Sequence, residues 1–303
     1  MLVTTQARFH NAEMVEALVK GRKYKFCVAA RDFESGEEIL YNPSDLCVTA
    51  STFKVPILIE LMRRYELGEV SLDDFYMLRE EDKSPGSGVL RELSPGITLR
   101  IRDLATLMII RSDNTATDIL INMLGAGNIT STMHKLGFCG TYVTMGCAGL
   151  IGYLHGIKTN WPTPEQKRAI MSRPPDAKVD EDAMTLKGVP ENCVTTPLDM
   201  VNLFHRLHDG TLLGPKGNHA ALAILLRQQI KERIPGLLPK GTLTANKTGT
   251  LAGRIINDAG IVYPRSGSPY AVAIFTDQED VPDAKDMPAR ISLAIYEHFQ
   301  KKR

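Results

Sequence analysis

Three short segments hold residue types and spacings suited to acyl transfer: Ser51-Thr-Phe-Lys54, Ser112-Asp113-Asn114 and Lys247-Thr248-Gly249-Thr250. A serine hydroxyl is a weak nucleophile until a base takes its proton. Three residues along a helix put Lys54 on the face of Ser51, one turn away, and a lysine desolvated there can serve as that base. A helix N-terminus also favours developing negative charge and offers a free backbone N–H. Ser112 can relay a proton towards a leaving group, Asn114 can hydrogen-bond a substrate amide, and Asp113 ties their loop together. Lys247 and Thr248 suit a substrate carboxylate, and Gly249 lets a ligand approach the backbone closely. The N–H of Thr250 can join that of Ser51 as an oxyanion hole. Taken singly, each segment has a plainer use as a helix cap, a solvated lysine or a surface turn. Their joint occurrence in this order points to one site.

The elements that must position these residues are legible in the apolar periodicity. Asn11 to Lys20 reads as a helix ending at Gly21, and Tyr24 to Asp32 with Glu38 to Tyr41 as a hairpin around Ser35-Gly36. Val55, Leu58, Ile59 and Met62 recur at helical spacing from about Ser51, and Gly68 ends that run. Further helices are predicted from about Ile101, from about Thr115 to Gly125, from Thr196-Pro197 to about Asp209, and from Ala220 to Arg233. Thr242 to Thr248, Ile255 to Tyr263 and Tyr270 to Thr276 read as an antiparallel meander, and Asp286 to Gln300 as a closing helix. Strands at both ends with helices between them imply an α+β fold in which the ends share one sheet. The expected division is an α/β lobe of about residues 1–50 and 210–303 and an all-α lobe of about 51–209, interleaved within a single domain.

Composition narrows the function classes. The 303 residues carry 36 basic and 35 acidic side chains, a formal charge of +1, which argues against nucleic acid or an anionic membrane as the main partner. No apolar run reaches the ~20 residues that span a bilayer. Met1 to His10 lacks the basic and apolar regions of a secretory signal, so the compartment is left open between a cytoplasmic protein and one whose leader was removed. Lys301-Lys302-Arg303 reads as a solvated helix end. Five cysteines without metal-type spacing read as free, mostly buried thiols, and the pair His205 and His208 lacks a third ligand, so no metal and no cofactor are expected.

Beyond the three segments, Pro85-Gly-Ser-Gly-Val-Leu-Arg, the run from Arg102 to Thr117, Thr195-Thr-Pro and Asn246-Lys-Thr-Gly-Thr-Leu extend a resemblance to class A β-lactamase-type serine hydrolases of the penicilloyl-serine transferase superfamily. It covers roughly residues 10 to 300. The resemblance implies a five-stranded antiparallel sheet flanked by helices, an all-α lobe, and an active site between them. It also implies acylation of Ser51 by a small-molecule β-lactam or related acyl substrate, with Lys54 as base, Ser112 as relay, and no cofactor. A monomer is expected. The alternatives are an esterase or D,D-peptidase of the same fold, or a penicillin-binding receptor that is acylated and deacylates slowly.

One part of the family pattern is missing. The glutamate of an E-x-x-L-N loop, which positions the water that clears the acyl-enzyme, has no counterpart in this sequence. Glu181-Asp-Ala-Met184-Thr185 is the nearest substitute and makes Glu181 the candidate for water activation, with Asp180, Glu191 and Glu165 behind it. The segment Lys158 to Val189, with the single tryptophan Trp161, is a candidate wall of the pocket.

Overall fold

The computed structural model describes residues 9–22, 24–174, 176–278 and 285–301; Lys302, Arg303 and most of the segment Met1 to His10 lie outside that range. In chain order the elements are β1 (Phe9–His10), α1 (Glu13–Val19), β2 (Lys25–Asp32), β3 (Glu38–Tyr41), β4 (Cys47–Val48) and α2 (Lys54–Glu66). Next come β5 (Phe75–Met77), β6 (Thr98–Arg100), α3 (Ile101–Ile110), α4 (Asn114–Leu124), α5 (Ala126–Lys135), α6 (Cys147–Leu154) and α7 (Pro164–Met171). The chain closes with β7 (Val194–Thr195), α8 (Pro197–His208), α9 (Pro215–Leu225), β8 (Leu243–Leu251), β9 (Ile255–Tyr263), β10 (Tyr270–Asp277) and α10 (Met287–Lys301).

The two ends of the chain meet in one antiparallel sheet of order β1-β3-β2-β10-β9-β8. Five of these strands are the expected ones, and the sixth is the two-residue β1 at the edge beside β3. Both faces of the central strands are covered, which is why they read as apolar runs rather than strict alternation. Phe26, Val28 and Ala30 of β2 face the helices α1 and α10, through Val15, Ile291, Ile295 and Phe299. Cys27 and Ala29 face the other way, in one core with Met200, Leu203, Phe204 and Leu207 of α8. The small side chains Ala29, Ala271 and Ala273 on that face give α8 a surface it can approach closely. Thus α8, read from the sequence as part of the helical lobe, packs on β2, β9 and β10.

Helix α2 is the axis of the helical part. Its apolar stripe predicts one buried face, yet every residue from Lys54 to Met62 is buried. A helix apolar nearly all round belongs in a core, surrounded here by α3, α4, α5 and α9. Glu60, the buried carboxylate in that run, is satisfied by Arg63 at 2.8 Å and Arg64 at 2.7 Å. Truncating one of the buried leucines, Leu58→Ala for example, should cost ~2–5 kcal/mol.

The helices depart from the sequence reading in two further respects. The helix expected over Ala220 to Arg233 instead spans Pro215–Leu225, with Pro215 in its first turn. Past its end Arg227 N and Gln228 N bond three residues back, to Ile224 O and Leu225 O, and Gln228 Oε1 then accepts the N–H groups of Gln229 and Ile230, at 3.0 and 3.1 Å, in place of helical carbonyls. The helices α5, α6 and α7 were not anticipated. α6 holds two glycines, Gly149 and Gly152, whose low helix propensity masks an eight-residue helix made by packing.

Candidate active site

Ser51 lies in a 3-10 turn, Ala50–Phe53, that leads directly into α2, so the helix proper starts at Lys54 rather than at Ser51. Ala50, immediately before the serine, has φ 44°, and Ser112 has φ 53°. Non-glycine residues held in this left-handed region cost ~1–3 kcal/mol each. Both residues line one cleft of about 550 Å³ that opens to solvent. A third such residue, Ala252 at φ 50°, lines it too.

Ser112 stands between α3 and α4, and the sequence places there the residue that organises the loop. Asp113 is the N-cap of α4: its Oδ1 accepts from Ala116 N at 3.0 Å. Its Oδ2 accepts from Val89 N at 2.6 Å and Leu90 N at 2.9 Å. The cap is therefore Asp113, not Ser112 or Asn114, and the same carboxylate ties the loop as expected. Asn114 Nδ2 donates to Pro85 O at 2.7 Å, while its Oδ1 accepts from Lys54 Nζ at 2.8 Å. One N–H of that amide is left for a ligand.

Two buried ammonium groups converge on one hydroxyl. Lys54 Nζ lies 3.0 Å from Ser112 Oγ and donates to Ser112 O at 2.7 Å; Lys247 Nζ reaches the same Oγ at 3.1 Å. Both side chains are fully buried. Burial pushes the pKa of Lys54 down, although Cys147, Asp118 and Asp113 act the other way. Lys247 is pushed well below the ordinary lysine value by burial and then by the charge of Lys54. A neutral Lys54 would accept the Ser112 hydroxyl proton where the ammonium donates, so the trio can pass a proton in either direction.

The third segment lies within β8, the edge strand of the sheet. A Cβ on Gly249 would stand 2.6 Å from Thr49 O and 3.0 Å from Ser51 N. Glycine is required here because the strand backbone presses on the turn that carries Ser51. This closeness brings the N–H of Ser51 and the Thr250 end of the strand to the same part of the cleft.

Two cleft residues were not read from the sequence. Arg233 donates to Gly249 O and Asn257 O and to Thr250 Oγ1, so its guanidinium braces β8 from the cleft side. Cys147, the first residue of α6, is buried and lines the cleft. Asp118 fixes that helix start by accepting from Cys147 N at 2.6 Å, Ala148 N at 3.0 Å and the Ser84 hydroxyl. Neither position lies in a recognisable motif, and no local signal could have found them.

The expected water-activating residue stands elsewhere. Glu181 has a side chain 72% exposed, pairs with Arg254 at 3.6 Å, and is not among the cleft-lining residues. Its loop is drawn to β9 by that arginine, which Asp277 also holds at 2.7 Å. Asp180, Glu191 and Glu165 are exposed as well, and Glu165 pairs with Arg168. Among the described residues of the segment Lys158 to Val189, Val179 alone lines the cleft, and Trp161 is half exposed away from it. His205 and His208 stack on Phe33, with ring centroids 4.9 and 4.5 Å away, which accounts for their place on α8. Among the described residues no group of three or more His, Cys, Asp or Glu side chains could hold a metal ion. Among the described helices none is long and apolar enough to cross a membrane. Four of the five cysteines are buried, and Cys139 is exposed.

Known proteins resemble this chain along almost all of its length. A β-lactamase of Bacteroides uniformis is 23% identical over 93% of this chain and 89% of its own. The crystal structure of a β-lactamase from Sphaerobacter thermophilus superposes with a TM-score of 0.75 at 27% identity, covering 95% of each chain. The structure of the protein PBP-A superposes with a TM-score of 0.76 at 24% identity, again over 95% of each, and shares the fold. A sequence profile of the β-lactamase enzyme family matches residues 11–299. Since that match takes in both sheet halves and the whole helical part, the chain belongs to the β-lactamase enzyme family, as a serine hydrolase of the class A type.

Proposed function

We propose that the protein opens a β-lactam amide by attack of Ser51 on the ring carbonyl, forming an ester on its Oγ. The observation that carries this reading is the meeting of Lys54 and Lys247 on Ser112 Oγ beside the cleft that Ser51 lines. Lys54, its ammonium disfavoured by burial, takes the serine proton. Ser112 delivers a proton to the departing amide nitrogen. The N–H groups of Ser51 and Thr250 stabilise the oxyanion, the kind of contact worth ~2.7–4 kcal/mol per donor. Lys247, Thr248 and Gly249 meet the substrate carboxylate, and Asn114 its amide. Arg233 adds positive charge on that side. Glu181, held by Arg254, is not assigned a role in water activation. The cleft is complete within one chain, and the protein acts as a monomer of two interleaved lobes; sedimentation tests that.

Incubation with a chromogenic cephalosporin, followed by colour and intact mass, tests the reaction. The expected result is ring opening and one acyl adduct, on Ser51. Ser51→Ala should abolish both, and ring opening that survives this substitution would remove the mechanism.

A further inference from the structure

Pro85-Gly-Ser-Gly-Val-Leu-Arg belongs to the family resemblance, yet none of the proposed acylation steps uses its serine. The loop it forms lies directly on the turn that carries Ser112. Asn114 N donates to Ser87 O at 2.8 Å, and Val89 N and Leu90 N donate to Asp113 Oδ2. A Cβ on Gly86 or Gly88 would run into Asn114 or Asp113. Ser87, between the two glycines, is exposed along the cleft. Its Oγ donates to Ser112 O at 2.8 Å and lies 3.3 Å from Asn114 Oδ1. Lys54 Nζ reaches the same two acceptors, at 2.7 and 2.8 Å. A hydroxyl and a lysine therefore share one pair of oxygens.

We infer that Ser87 is a positioning residue for acylation: its hydroxyl holds the Ser112 carbonyl, and with it the Ser112 hydroxyl, whatever the charge on Lys54. The inference rests on the acylation proposed above and adds what keeps the relay in place while the base changes charge. Ser112 has φ 53°, a left-handed conformation that persists only when its surroundings over-determine it. Two side chains donate to its carbonyl, Lys54 and Ser87. Lys54 must be the neutral amine to take the Ser51 proton, and a charge-assisted hydrogen bond is roughly twice as strong as a neutral one. Its grip on Ser112 O is thus weakest in the state from which acylation starts. The Ser87 hydroxyl carries no charge to lose, so its bond persists. Once Lys54 has taken the proton, both donors hold the carbonyl again. The titratable groups around Lys54 are Lys247 on β8, Asp113 and Asp118 on α4 and its cap, and Cys147 on α6. Lys247 reaches Ser112 Oγ rather than its carbonyl, and both aspartates are engaged as acceptors, which leaves Lys54 as the titrating group that the carbonyl feels. In Ser87→Ala the lysine alone holds the carbonyl. Ser112 then stays in place at low pH and loosens as Lys54 loses its charge, so the loss of rate must grow with pH.

Burst rates with saturating chromogenic cephalosporin, read by stopped flow on the whole protein as pH rises through the Lys54 transition, test this. Ser87→Ala should match the wild type at the acidic end and fall below it by ~2–10-fold on the alkaline plateau, the rate equivalent of one net hydrogen bond. Ser87→Thr, which keeps the hydroxyl, should follow the wild type throughout. Melting temperatures of the three proteins should agree, since Ser87 is exposed, and intact mass should find the adduct on Ser51 in each. A loss of equal size at every pH would assign Ser87 to loop packing and overturn the inference. So would a Ser87→Ala profile identical to the wild type, or a Ser87→Thr profile like that of Ser87→Ala. In those three cases the adduct still forms and the acylation reading stands. If the wild type forms no adduct, that reading fails and the inference with it.

Discussion

The β8 side and the α6 side of the cleft are built on different terms. On the β8 side, Lys54, Ser112, Lys247 and Thr248 are buried and interlocked by short hydrogen bonds. Their backbones sit on a long core helix, a capped loop and a sheet strand. On the α6 side, a short helix with two glycines presents thiol and hydrocarbon groups, and the loop beyond it turns its carboxylates to solvent. Forming an ester needs a nucleophile, a base and charge stabilisation in fixed geometry, and rigid elements supply that. Clearing the ester needs a water as well, and the described residues of the α6 wall that line the cleft include no carboxylate.

Replacing Lys54 should break the β8 side most deeply. Lys54→Met keeps the volume and removes the base, so the burst rate should fall by ~10²–10⁴-fold. In the wild type that rate should climb as pH rises through the lowered pKa of Lys54, because only the neutral amine accepts the serine proton. A burst rate that ignores pH between neutrality and the ordinary lysine range would remove Lys54 as the base.

Gly249→Ala probes the same side through the backbone alone. The added methyl meets Thr49 O, so strand and turn must separate, and a displacement near 1 Å can cost ~10² in rate. Acylation measured under saturating substrate should show that loss while circular dichroism shows an intact fold. Wild-type acylation in this variant would mean that the approach of β8 to Ser51 is not part of the machinery.

Glu181→Gln should have the smallest effect. An exposed ion pair such as that with Arg254 contributes ~0–1 kcal/mol, and the burst and slow phases should both match the wild type. An adduct that accumulates only in this variant would return water activation to Glu181 and erase the contrast between the two walls.

The contrast also marks how far the sequence could be read. Ser51, Lys54, Ser112 and Lys247, the residues proposed for acyl transfer, were legible because that chemistry constrains residue type at fixed local spacing, three residues on a helix or neighbours on a strand. The hairpin β2–β3, the meander β8–β10 and the helix capped by Thr196 followed from periodicity and turn chemistry in the same local way. Asp113 was read as a tie, and its second task as cap of α4 emerged with Val89 and Leu90 in place. Glu181 was read by its interval before Pro197, and an interval along a loop does not fix a direction in space: Arg254, 73 positions later in the sequence, took the side chain.

What the sequence determined by itself was therefore the three segments proposed for acyl transfer and the α+β frame that carries them, since residue type, local spacing and apolar periodicity encode both. The tertiary structure decided what faces those segments. Cys147 lines the cleft because Asp118, 29 residues earlier, anchors the start of α6. Arg233 braces β8 only because the chain leaves α9 early. These placements depend on long-range packing and on buried polar groups finding partners across the fold, and no local spacing encodes either.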